Sequence, residues 1–143
     1  MKILIIHGPN LNLLGQRETE IYGSKTLAEL CEEVKQKNQN VEFELFQSNH
    51  EGEIIDRLHQ TLNEKFIGII LNAGAFTHYS YAIRDAIASI NTPTVEVHLS
   101  NIHQREDFRK NSVIQEVCIS QITGLGIEGY NLAVNILTSK KND

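Results

Sequence analysis

Glu96, His98 and Ser100 alternate along "TVEVHLS" (94–100). On an extended strand they share one face, while Val95, Val97 and Leu99 share the other. A carboxylate two residues from a histidine can hydrogen-bond the imidazole, fix its tautomer and leave it ready to donate a proton. The same spacing also describes a core histidine satisfied by its neighbour. Ser100 and the loop after it open the end of this strand, which favours the chemical reading. A second pair, Arg17 and Tyr22, lies in "GQRETEIYG" between Gly15 and Gly23. A tyrosine in water titrates at about 10, so it serves as a base near neutral pH only beside a positive charge, which an arginine supplies. Glycines at both ends permit a hinge, so one reading of the loop is a lid that closes over the strand ends. Its other reading is a solvated surface loop. Asn10 and Asn72, each just beyond a strand-like run, and Arg109 on the segment after 94–100 complete the set. Asn at such places also makes ordinary turns.

These residues need a frame that brings strand ends together. "KILIIH" (2–7) and "FIGIIL" (66–71) are nearly continuous apolar runs, the pattern of parallel strands covered on both faces. "VEFELF" (41–46) and "EVCISQI" (116–122) alternate, as edge strands do. "TLAELCEEVKQK" opens with Thr26 and Glu29 at capping-box spacing and puts Leu27, Leu30, Cys31 and Val34 on one stripe. Further helical stripes are Ile54, Ile55, Leu58 and Leu62, then Ala82, Ile83, Ala86, Ile87 and Ile90, and finally Leu132, Ala133, Ile136 and Leu137. The order βαβαβαβ, an irregular or helical stretch, then βα, implies an α/β fold. It is a flavodoxin-like, doubly wound, five-stranded parallel sheet of order 2-1-3-4-5. Ligands of such sheets bind beyond the carboxyl ends of the strands, at the switch between strands one and three. Asn10, Asn72, His98 and Ser100 should therefore meet on one rim with Arg109 in reach.

The 143 residues, 41% hydrophobic, suit a single catalytic domain over 1–143. No apolar run approaches the roughly 18 residues of a spanning helix, and no export signal is expected from "MKILIIHGPN". With a net charge of -5 and no basic, aromatic-interleaved stripe, neither nucleic acid nor a membrane is an expected partner; a small molecule is. Cys31 and Cys118 lack metal-ligand spacing and read as buried free thiols of a cytoplasmic protein. The six histidines show no i, i+4 pair with an adjacent Glu, so no metal is expected. "GLGIEG" (124–129) matches a dinucleotide fingerprint formally, but too little chain follows for a βαβ unit; its glycines should instead let the last helix pack closely. The tail "SKKND" should be frayed.

The segments "GPNLNLLGQRE...YG", "QSNHEGEIID", "NAGAFTHYSYAIRDAI", "VEVHLSN", "REDFRKNS" and "GLGIEGYNLAV" occur in this order over nearly the whole chain. Together they resemble the type II 3-dehydroquinate dehydratases, cofactor-independent enzymes of the shikimate pathway to chorismate and the aromatic amino acids. The resemblance implies that Tyr22 removes a proton from C2 of 3-dehydroquinate to give an enolate, and that His98 protonates the departing C1 hydroxyl. It implies that Arg17 stabilises the phenolate, that Asn10 positions a water at the enolate oxygen, and that Glu96 orients His98. Asn72 with the N–H groups of Leu99 and Ser100 would hold the carboxylate, and His78, Arg109 and Asp85 would bind or frame the ring hydroxyls. Asp85 would come from a neighbouring subunit of a homododecamer built from trimers. Thr19 departs from the proline that many members carry after the Arg-Glu pair, which would loosen the loop.

Other occupants of this fold are a signalling receiver and a flavodoxin-like small-molecule or nucleotide binding module. A receiver needs acidic residues after strand one and an aspartate ending strand three, where this chain has "HGPN" and Asn72. A flavin binder would carry a hydroxyl-rich phosphate loop, and "GPNLNLLG" is poor in hydroxyls.

Overall fold

The computed structural model describes residues 1–16 and 18–141, with side chains as far as Ser139. Its five parallel strands are β1 (Lys2–His7), β2 (Glu42–Gln47), β3 (Gly68–Asn72), β4 (Thr94–His98) and β5 (Ser120–Thr123), in the order β2-β1-β3-β4-β5. Five helices accompany them: α1 (Thr19–Tyr22), α2 (Leu27–Lys37), α3 (Glu51–Gln60), α4 (Tyr81–Ser89) and α5 (Glu128–Lys141). This is the expected doubly wound α/β sheet.

Because successive strand residues point to opposite faces, the apolar runs feed two cores at once. Ile3, Ile5, Ile70, Val95 and Val97 pack with Leu30, Val34, Ala133 and Leu137 of α2 and α5. Leu4, Ile6, Ile69 and Leu71 pack with Ile54, Leu58, Ile83 and Ile87 of α3 and α4. The capping box that starts α2 is formed, with Thr26 Oγ1 accepting from the Glu29 N–H.

Several expected boundaries and faces shift. Residues 66 and 67 precede β3, although the Ile67 N–H already donates to Lys2. Most of 116–122 is not strand: residues 115–117 form a 3-10 turn, and β5 begins only at Ser120, where its pairing with Val95 of β4 starts. Leu62 lies in a 3-10 turn beyond α3 and is 53% exposed, while Thr61 is buried there in its stead. Ala82 is exposed too. On α5 the buried stripe is Tyr130, Ala133, Val134 and Leu137, and Leu132 is 42% exposed. The tail is not wholly frayed, since residues 139–141 continue α5; residues 142 and 143 lie outside the described part. Both cysteines are free, and Cys118 is half-buried rather than buried.

The glycines of 124–129 divide their work. Gly124 and Gly126 take positive φ in the turn, whereas a Cβ on Gly129 would come 3.2 Å from Ile122 and 3.4 Å from Val97, so close helix packing belongs to Gly129.

Candidate active site

At the carboxyl ends of β1 and β3 the two departing loops run against each other. The Gly8 N–H donates to the Asn72 carbonyl at 2.8 Å, and a Cβ on Gly8 would sit 2.5 Å from the Ala73 carbonyl oxygen. Only glycine admits that approach. The loops therefore part just beyond it and leave a cavity lined by Asn10, Tyr22, Asn72, His78, His98, Leu99, Ser100, Arg105 and Arg109, with Pro9, Leu11, Gly74, Ala75 and Ile102. It lies at the β1/β3 switch point, where ligands of such sheets bind.

β4 supplies the buried half of this site. Glu96 is fully buried, and the His98 Nε2–H donates to its Oε2 at 2.6 Å. The carboxylate also accepts from Ser112 Oγ at 3.0 Å and from Gln121 Nε2 at 3.2 Å. Three donors thus immobilise Glu96, and Glu96 immobilises the imidazole ring. His98 itself lines the cavity, with Nε2 committed to Glu96. His78 lies across a ring separation of 6.5 Å from His98, and its Nδ1 is 2.8 Å from the Asn111 carbonyl. The pKa of His78 is lowered, chiefly by burial and further by the positive charges of His98 and Arg109, against the Asn111 carbonyl.

The other half comes from loops. Asn10 takes a left-handed conformation, φ 70°, that asparagine tolerates, and its N–H donates to Asn49 Oδ1 at 3.0 Å. Tyr22 ends α1, a four-residue helix with no buried residue, and its hydroxyl accepts from Arg105 Nη1 at 2.6 Å. The same guanidinium lies 5.0 Å from the centre of the Tyr22 ring and 3.4 Å from Ser100 Oγ. Arg105 Nε is buried and has no hydrogen-bond partner among the described residues.

Of the residues singled out from the sequence, Asn10, Tyr22, Asn72, His78, His98, Leu99, Ser100 and Arg109 meet at this cavity, and Glu96 stands directly behind His98. Asp85 does not; it lies on α4, 78% exposed, beside Arg84 at 3.9 Å. Arg17 lies outside the described residues. Thr19 opens α1 and is not among the residues that line the cavity. Sequence reasoning overlooked Arg105, although it begins "REDFRKNS"; only its partner four residues on, Arg109, was carried forward. Among the described residues, no group of three or more His, Cys, Asp or Glu side chains is placed to hold a metal ion, and no helix is long and apolar enough to cross a membrane.

A family model described as "Dehydroquinase class II" matches residues 1–138. The chain belongs to the class II dehydroquinase family. A 3-dehydroquinate dehydratase of Clostridium beijerinckii is 57% identical over 143 residues, covering 99% of this chain and 98% of that protein. One from Bacillus cereus is 59% identical over 141 residues, covering 97% and 96%. The crystal structure of a type II dehydroquinase from Butyrivibrio crossotus superposes with a TM-score of 0.93 at 49% identity, over 96% of this chain and 97% of that one. Family membership sets aside the binding-module reading that the fold alone left open.

Proposed function

We propose that this chain, a hydro-lyase of the class II dehydroquinase family, removes water from 3-dehydroquinate by a stepwise anti elimination and releases 3-dehydroshikimate, without cofactor or metal. The observation that carries the reading is one cavity walled by a histidine on a buried carboxylate and a tyrosine on an arginine. A phenolate at Tyr22 takes the C2 proton, and the electron pair moves onto the ketone oxygen as an enolate. The Arg105 guanidinium is the counter-charge of that phenolate. When the enolate collapses, the C1–oxygen bond breaks and the hydroxyl leaves as water with a proton from His98. The proton gained by Tyr22 and the one given by His98 balance. Glu96 is the counter-charge that an imidazolium at His98 needs.

Asn10 positions a water at the enolate oxygen, where hydrogen-bond donors act most strongly. Asn72 and the N–H groups of Leu99 and Ser100 receive the substrate carboxylate, while His78 and Arg109 receive ring hydroxyls. Arg17 shares the charge of the base by family resemblance. Positive φ at Gly15 (88°) and Gly23 (83°) supports a loop that opens and closes over the substrate. The exposure of Asp85, away from its own cavity, supports its place in the site of a neighbouring subunit within a dodecamer of trimers. Free thiols at Cys31 and Cys118 fit a reducing cytoplasm.

The test is an ultraviolet assay for the conjugated enone with purified protein and 3-dehydroquinate. Turnover should survive a chelator, and should survive borohydride added with substrate; no enone, or loss under either reagent with the fold intact, overturns the reading. Subunits dissociated by interface substitutions should be folded but nearly inactive. A fully active monomer by light scattering would remove Asp85 from the site.

A further inference from the structure

Behind the cavity wall lies a string of three buried side chains. His7 ends β1, Asn72 ends β3, and the two are register partners. Tyr130 of α5 reaches beneath both: its hydroxyl is 2.9 Å from His7 Nε2 and 3.4 Å from Asn72 Nδ2. All three are buried, and of them Asn72 alone lines the cavity.

The donors and acceptors leave one consistent assignment. The Gly74 N–H, which can only donate, lies 3.2 Å from the Asn72 side-chain oxygen. That fixes which end of the amide is oxygen and turns the NH2 group to Tyr130. The Tyr130 oxygen accepts there, so its own proton goes to His7 Nε2. His7 must then be neutral and unprotonated on that nitrogen, and burial holds its pKa at about 4. Burial likewise pushes the Tyr130 phenol up, so it stays a donor. The remaining N–H of Asn72 is left for the cavity.

We infer that Tyr130 and His7 are positioning residues for substrate binding: they hold the Asn72 amide with an N–H, not its oxygen, turned to the substrate carboxylate. The inference rests on the carboxylate-binding reading of Asn72 given above. Without the Tyr130 hydroxyl the Asn72 amide keeps the Gly74 contact but loses the one that holds its NH2 group. A flipped amide would set an oxygen against the anion.

Tyr130→Phe removes one oxygen from a position that otherwise keeps its ring packing. KM for 3-dehydroquinate should rise about tenfold, the worth of one charge-assisted hydrogen bond, with kcat within about threefold of the parent. In an Asn72→Ala background the same substitution should leave KM where Asn72→Ala alone puts it, because a residue that acts through another has nothing left to orient. His7→Leu, which removes the acceptor at similar volume, should repeat this pattern more weakly and serves if Tyr130→Phe does not fold. An unchanged KM, or the same factor in both backgrounds, overturns the inference. If Asn72→Ala leaves KM unchanged while the parent turns over substrate, the carboxylate reading falls and takes this inference with it. A parent that makes no enone marks failure of the proposed function itself.

Discussion

The two halves of the site are built differently. The half that carries His98, the proposed acid, stands on the ends of central strands: His98 and Asn72 are buried, Glu96 has three donors, and the loops behind them touch backbone to backbone at Gly8. The half that carries Tyr22, the proposed base, stands on a loop with positive φ at Gly15, Glu18 and Gly23 and a single four-residue helix with no fully buried residue, whose Tyr22 packs half-buried against the core. Its fixed point is the contact of Tyr22 with Arg105, itself anchored near Ser100. A proton donor that must meet a leaving group gains from preorganisation, since geometry costs nothing at the moment of reaction. A base that must also let substrate in gains from a segment whose opening leaves the core undisturbed.

That contrast can be broken by experiment, most severely at the base. Tyr22→Phe should lower kcat by about 10⁴, the upper end for loss of an acid or base, while the thermal midpoint and substrate binding by calorimetry stay near the parent's. A variant that keeps most of its activity would move the base off the loop. His98→Ala should cost somewhat less in rate, about 10³, yet destabilise the fold by about 2 kcal/mol, because the buried Glu96 carboxylate loses a partner. Glu96→Gln should give a milder loss of kcat. Equal stability of the Tyr22 and His98 variants in urea would erase the distinction between the halves.

Proton linkage should report a buried histidine of the rigid half. His7 binds a proton at about 4 in the fold and at its ordinary 6.5 when unfolded. Between those values the unfolded state holds more protons, so stability is complete above 6.5 and falls as the pH drops towards 4, by about 3 kcal/mol in all. Denaturant titrations across this range should show the fall, and His7→Leu should flatten it. The smallest contrast lies between two glycines. Gly8→Ala drives a Cβ into the Ala73 carbonyl and should lower stability by about 3 kcal/mol. At Gly23, φ 83° and ψ 175°, nothing lies within 4 Å, so Gly23→Ala strains the loop by about 1–3 kcal/mol that the loop itself absorbs. Its kcat/KM should fall several-fold, and its urea midpoint should drop less than that of Gly8→Ala.

The chain's own pattern determines more of the strand-borne half than of the loop-borne one. Period-two alternation in 94–100 sets Glu96, His98 and Ser100 on one face before any fold is known, and the Ile-rich runs at 2–7 and 66–71 imply a sheet whose strand ends must meet. Ordered motifs bring Tyr22 and Arg109 to the same site by resemblance. Three features come only from the tertiary structure: Arg105 across 83 residues of chain on the Tyr22 hydroxyl, Tyr130 beneath Asn72 and His7, and the rotation of α5 that buries Tyr130 and exposes Leu132. Local periodicity reports which face of an element is apolar, but a hydrogen bond between distant segments depends on how helices dock on the sheet. Docking is decided by packing volume and by buried polar groups finding partners, and neither is written within a window of a few residues.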